Sequence, residues 1–273
     1  MVSWGILLFV CRGALGTLFF ILLYLPWNGK GKGGLLEERT CDTMGKMQRE
    51  ENTMATNATV RGRFAPSPSG RMHLGNLFAA LLAWLDVRHL GGELLLRMED
   101  LDPDRCRPEY LSQLGDDLIW LGLDWDLGWR PGETAYCQSC RTPFYQAAFK
   151  TLASRGLVYP CYCSRNELHA ASAPHASDGA VIYAGTCRDL TAAERAAKTR
   201  RPAWRVRVPD EEVSFVDGLQ GEVCENLARE CGDFILRRSD GVYAYQLAVV
   251  VDDAAGGVTE IVRGADLLRS TPR

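Results

Sequence analysis

From residue 59 onward, short apolar runs alternate with a stretch of helical period. Val60-Arg61-Gly62-Arg63-Phe64-Ala65 reads as a strand, and Pro66-Ser67-Pro68-Ser69-Gly70 breaks it, because proline offers no donor to a sheet ladder. From His73 the period changes. Leu77, Leu81, Leu82 and Leu85 fall at i, i+4, i+5 and i+8 with alanines between them, the spacing of an apolar helix face. Leu94-Leu95-Leu96-Arg97-Met98 reads as a buried strand that ends in Glu99, Asp100 and Asp102. The run Tyr243-Ala244-Tyr245-Gln246-Leu247-Ala248-Val249-Val250-Val251 is nearly continuous in apolar character and predicts a strand covered on both faces, again ending in acids, Asp252 and Asp253. Strand, helix, strand, a cysteine-bearing insertion and further strands together predict a doubly wound, Rossmann-like α/β domain.

The ends of the chain differ from this middle. Residues 1–27 are almost wholly apolar with Arg12 as the one charge, long enough to cross a bilayer at about 1.5 Å per residue. This leader reads either as a membrane anchor or signal, or as translated sequence upstream of a true start at Met47 or Met54. Its positive charges follow the apolar run, which fits a signal peptide poorly. Residues 28–53 show no hydrophobic period, so 1–53 is read as leader and unstructured linker and 54–273 as the folded domain. The sequence stops at Ser270-Thr271-Pro272-Arg273, directly after Leu267-Leu268 and without a capping glycine or polar tail, which reads as a truncation.

The chain has 273 residues, enough for a sizeable core without staples. Its 31 basic and 34 acidic side chains leave a net charge of −3, so any RNA contact has to use a local patch. The 10 cysteines are not spaced like a secreted disulfide framework. A reducing, cytoplasmic setting follows, and with no membrane partner unless the leader is real, a monomer.

A strand, a glycine-bearing turn and a helix N-terminus make an anion-binding geometry, because unpaired amides and the helix dipole point into the turn. A nucleotide phosphate suits it. The residues are more specific than the spacing. Arg63-Phe64-Ala65-Pro66-Ser67-Pro68-Ser69-Gly70-Arg71-Met72-His73-Leu74-Gly75-Asn76 resembles the first signature of the class I glutamyl-type aminoacyl-tRNA synthetases, with the HIGH element written HLGN. The resemblance implies that Pro66 to Asn76 bind ATP, that His73 contacts its phosphates, and that Gly75 lets the adenine lie against the backbone.

Taken alone, the acids after Leu96 could hold an ammonium group or a ribose hydroxyl, or form a solvated loop in which Asp102-Pro103 caps a helix. By the resemblance, Arg97-Met98-Glu99-Asp100-Leu101-Asp102 matches the RxEDxD strand, and Glu99 binds the amino acid. Ile261-Val262-Arg263-Gly264-Ala265-Asp266 resembles the next strand and its RGADLL turn. The L-glutamate pocket so implied comprises Arg63, Phe64, Ala65, Pro66, Ser67, Glu99, Tyr245 and Arg263. Its chemistry is coherent, since arginine grips a carboxylate with two parallel donors.

Two cysteine sets compete for a metal. Cys161-Tyr162-Cys163 with Tyr183 and Cys187 resembles the zinc site of the compact family branch that glutamylates queuosine in tRNA(Asp), one Zn²⁺ per chain in an insertion at about 155–205. Cys137 and Cys140 with Cys161 and Cys163 supply four sulfurs and are favoured by spacing alone. The first set is preferred, because the resemblance implies that Cys137 to Cys140 lead into an ordinary helix start whose preceding residues bind no metal. The resemblance further implies ATP with Mg²⁺, L-glutamate and queuosine-bearing tRNA(Asp) as partners. The alternatives are a fragment that charges tRNA(Glu), or a non-catalytic binding paralogue, since the family's second, KMSKS-like signature is absent from these residues.

Overall fold

The computed structural model describes residues 8–12, 59–164, 167 and 182–273. The expectations for the linker, for starts at Met47 or Met54 and for all of the leader except residues 8–12 lie outside them. Among the described residues no helix is long and apolar enough to cross a membrane.

The central sheet has the order β1 (Leu8–Arg12), β10 (Glu260–Gly264), β2 (Arg61–Phe64), β3 (Glu93–Leu96), β4 (Leu127–Gly128). The last four run parallel, and β1 lies antiparallel against β10. β2 leads through α1 (Leu74–His89) to β3, and β3 through α2 (Pro108–Trp120) to β4; the chain then returns to the far side of β2 to form β10. The strand order therefore reverses between β2 and β10. A crevice opens outside the carboxyl ends of strands at such a point.

Helix α1 forms where its period predicts, but its buried residues are Ala80, Ala83 and Val87, while Leu81 and Leu85 are exposed. The reason is distance. A Cβ on Gly62 of β2 would sit 2.1 Å from Cγ2 of Val87, so the helix lies too close to the sheet for leucine in between.

The expected strand over Tyr243–Asp253 is a helix. After α3 (Thr142–Ser154), β5 (Val158–Cys161), α4 (Ala192–Ala196), β6 (Ala203–Val206), β7 (Glu212–Asp217), β8 (Gly221–Asn226), α5 (Leu227–Glu230) and β9 (Ile235–Arg237), the chain forms α6 (Tyr245–Gly256). This helix ends on Gly257 at φ +64°, the left-handed stop that glycine adopts without a Cβ penalty. Leu247 and Ala248 pack with Tyr145 and Phe149 of α3 in one buried cluster. Helical geometry also changes what the segment presents. Tyr245 and Asp252, seven residues apart, share a face, with Asp253 beside them, whereas in a strand Asp252 and Asp253 would point to opposite sides.

Between α3 and α6 lie a three-stranded antiparallel sheet, β5-β6-β9, and the hairpin β7-β8. The cysteine cluster sits at the end of β5.

Candidate functional site

The turn from β2 to α1 is fastened to the segment after β3. The Phe64 and Pro66 carbonyls accept the Arg97 and Glu99 amides at 3.0 and 2.9 Å, and Pro68 accepts the Arg107 amide at 3.3 Å. Ser67 and Ser69 are exposed, and Phe64 and Met72 pack instead against the core cluster around Leu96 and Met98. At the site Phe64 thus contributes backbone, not side chain.

His73 is the N-cap of α1. Its Nδ1 accepts the Gly75 and Asn76 amides at 3.1 and 3.3 Å, while Asn76 Oδ1 accepts the His73 amide at 3.2 Å. This reciprocal pair is a capping box built from histidine and asparagine. A ring nitrogen that accepts carries no proton, so the neutral ring's N–H is on Nε2, on an exposed side chain. The three-residue spacing of His73 and Asn76 is the mark of this cap in the sequence. His73→Ser keeps a capping oxygen but removes Nε2. It should leave the melting temperature nearly unchanged while slowing adenylate formation by roughly 10²-fold, as for loss of one preorganised donor. Pyrophosphate exchange beside a thermal melt checks both halves.

Arg63, at the end of β2, is 5% exposed, and its Nε lies 3.6 Å from Oδ1 of Asp253. Among the described residues that Nε has no hydrogen-bond partner. Arg97 is 1% exposed; its guanidinium meets Asp253 Oδ1 at 2.5 Å and Glu99 Oε1 at 3.1 Å. Burial works against its charge, but Asp253 and Glu99 outweigh it and hold the guanidinium above its usual range. Burial pushes the Glu99 carboxyl up, partly offset by Arg97 and Arg63. The Tyr245 phenol is likewise raised, first by burial and then by Glu99, with Arg63 and Arg263 pulling against them. Arg63, Glu99, Tyr245, Arg263 and Asp253 are therefore electrostatic neighbours at the mouth between β2 and β10. The Arg263 guanidinium donates to the Thr271 hydroxyl. Arg97 and Asp253 were not singled out from sequence: they lie 156 residues apart and no local pattern joins them.

A cavity of about 290 Å³ opens here, lined by Ser67, Ser69, Glu99, Gln138 and Tyr245 among others. Its serines belong to the turn expected to receive phosphate, and its acid and phenol to the amino-acid pocket the resemblance implies, so one space joins the two. Behind it, the Asp252 carboxylate is 3% exposed. It accepts from Arg141 Nε at 2.6 Å, the Tyr145 hydroxyl at 2.7 Å and Gln138 Nε2 at 2.9 Å. Burial, and then this bond, hold the Tyr145 phenol far above its usual range.

In the insertion, one ligand atom each from Cys161, Cys163 and Cys187 lies within 4.8 Å of the others, a group that could hold a metal ion. The Cys163 and Cys187 sulfurs are 3.6 Å apart. The Tyr183 oxygen is 3.4 Å from the Cys161 sulfur and accepts the Cys187 amide at 2.8 Å. Burial raises the Cys161 thiol, but the Tyr183 hydroxyl and the Arg205 guanidinium outweigh it and bring it below its usual value. The rival set does not assemble. Cys137 precedes and Cys140 lies within a 3-10 turn before α3, Cys140 is exposed, and burial drives the Cys137 thiol up to about 12. Most of the loop between Ser164 and Ile182 lies outside the described residues.

A family model described as tRNA synthetases class I (E and Q), catalytic domain, matches residues 59–273. The chain is 56% identical over 220 residues to a Glutamyl-Q tRNA(Asp) synthetase of Nitratidesulfovibrio vulgaris, covering 78% of this chain and 68% of that relative. It is 51% identical over 212 residues to one from Neisseria meningitidis, covering 78% and 69%. Among solved structures, it is similar to a glutamate tRNA ligase from Elizabethkingia meningosepticum in complex with its amino acid, at 28% identity and a TM-score of 0.67, covering 78% of this chain. It spans 45% of the length of that structure's chain.

Proposed function

Because this chain belongs to the class I synthetase family of glutamate and glutamine, through its catalytic domain, we propose that it activates L-glutamate with ATP and transfers the glutamyl group to queuosine at the wobble position of tRNA(Asp). The observation that carries the reading is that Arg63, Arg263 and Glu99 all act electrostatically on Tyr245, while Glu99 and Tyr245 line the same cavity as Ser67 and Ser69 of the turn before α1. Arg63 and Arg263 take the side-chain carboxylate, and Glu99 takes the ammonium group. The free α-carboxylate is then left facing the nucleotide. One of its oxygens attacks the α-phosphorus in line; the new P–O bond forms as the bond to pyrophosphate breaks. Mg²⁺ bound with ATP supplies positive charge to the phosphates. His73 donates from Nε2 to the phosphate oxygens, and its place at the helix start spares the turn any reorganisation. A hydroxyl of the modified base then attacks the activated glutamyl carbon; the new C–O ester bond forms as the acyl–phosphate bond breaks, the hydroxyl loses its proton and AMP leaves.

Identity above 50% to relatives named for tRNA(Asp) supports the queuosine branch over tRNA(Glu) charging. Glutamylation of tRNA(Asp) prepared with and without queuosine tests it. We expect product only with the modified base, and acceptance of tRNA(Glu) alone would overturn the assignment.

Cys161, Cys163, Cys187 and Tyr183 would hold the metal, and three thiolates select Zn²⁺, whose chemistry here is a structural cross-link between β5 and the loop before α4. Free thiols throughout the described cysteines suit a reducing, cytoplasmic setting. Cys187→Ser should lose bound zinc, whereas Cys140→Ser should retain one ion per chain. Metal analysis of the two purified variants decides, and zinc retained in the Cys187 variant discards this ligand set.

A further inference from the structure

Arg205, on β6, is 6% exposed, and its guanidinium carbon stands 3.8 Å from the centre of the Tyr183 ring. One terminal nitrogen donates to the Asp233 carbonyl at 2.6 Å, which fixes the group in place, and its Nε has no hydrogen-bond partner among the described residues. The acid nearby is otherwise engaged: the Asp233 carboxylate accepts the Tyr159 hydroxyl at 2.6 Å and the Val208 amide at 2.8 Å, and pairs with Arg188 at 3.3 Å. A buried cation thus sits over the ring of a proposed metal ligand.

Three thiolates and a phenolate around a divalent ion carry two negative charges in excess, in surroundings that solvate them poorly. We propose that Arg205 is a positioning residue of the metal centre: it offsets that excess and clamps the Tyr183 ring, so that the phenolate oxygen faces the ion shared with Cys161, Cys163 and Cys187. The inference rests on the ligand set proposed above. The choice of arginine over lysine fits the role, since a flat, weakly hydrated guanidinium stacks on a ring and stays charged when buried.

The test is zinc affinity, measured by competition with a chromogenic chelator. Arg205→Met keeps the bulk without the charge and should lose about 10- to 100-fold in affinity, the usual cost of removing an outer partner of a metal site. Arg205→Lys should recover most of it. In a Tyr183→Phe background the same Arg205→Met change should cost much less, because its target oxygen is gone; a merely structural role would give the same loss in both backgrounds. Arg205→Gln, which keeps a donor for the Asp233 carbonyl, carries the test if the methionine variant does not fold. Equal affinity in wild type and the neutral variants, or an equal loss with Tyr183 and Phe at that position, overturns the role of Arg205. A wild-type chain that binds no zinc overturns the ligand set itself, and is a distinct result.

Discussion

Arg63→Met should weaken glutamate binding by about 2–5 kcal/mol, or roughly 30- to 4000-fold, the range for removing one member of a buried charge pair. Two effects add. The ligand carboxylate enters a crevice where water can no longer solvate it, and meets Arg263 alone. Asp253, shared between Arg63 and Arg97, also loses one of its two cations, so the pocket that receives the ligand becomes more negative. Arg63→Lys should fall between, because the ammonium keeps the charge and loses the fork. Calorimetric titration with glutamate gives both numbers, with D-glutamate as a control for nonspecific charge effects. A methionine variant that binds within threefold of wild type would remove Arg63 from the pocket.

Asp252→Asn should unfold the domain about 3–5 kcal/mol more easily, as expected when the carboxylate of a buried ion pair is removed from its cations. Arg141 pairs with Asp252 at 2.6 Å, and Arg97 approaches it at 3.9 Å. The amide keeps the shape but turns an N–H₂ toward Gln138 Nε2 or Tyr145, two groups that also donate. Since Asp252 joins α6, α3 and the 3-10 turn at Gln138–Arg141, the loss is felt by the whole α6 side of the sheet. Urea denaturation followed by fluorescence measures it. A midpoint unchanged from wild type would mean that the cations find other partners.

The part of the fold that was legible in the sequence is the part punctuated by proline, glycine and charge. Strand β2, its turn and the start of α1 follow from Pro66, Pro68 and Gly70, and the acids at the end of β3 follow from the abrupt change after Met98. Helix α6 was misread because Val249, Val250 and Val251 favour strands locally, while packing against α3 decides otherwise. Two signs pointed to the helix: the run exceeds the usual four to eight residues of a strand, and Gly256-Gly257 follows it. The buried face of α1 was hidden for another reason. Periodicity weighs hydrophobicity, but contact with Gly62 selects for size, so alanine occupies the interface and leucine the outside. Among the site residues, Arg63, Glu99, Tyr245 and Arg263 came from the resemblance, and the structure makes the other three electrostatic neighbours of Tyr245. Asp253, the carboxylate paired with Arg63, shows in the sequence only as an acid at the end of an apolar run, because pairing across more than a hundred residues is a property of the fold. The cysteine sets illustrate the same limit: the sequence allowed either three sulfurs with a phenol or four sulfurs, and only the path of β5 shows which of them meet.

The double duty of His73 restricts what can stand at that position. Serine or aspartate can end a helix, and lysine can offer a proton to a phosphate, but neither kind does both. Imidazole has two nitrogens of opposite hydrogen-bond sense fixed on one rigid ring, so seating one of them on the backbone aims the other. The group proposed to meet the nucleotide is thereby oriented by the same bonds that begin the helix, before any ligand arrives.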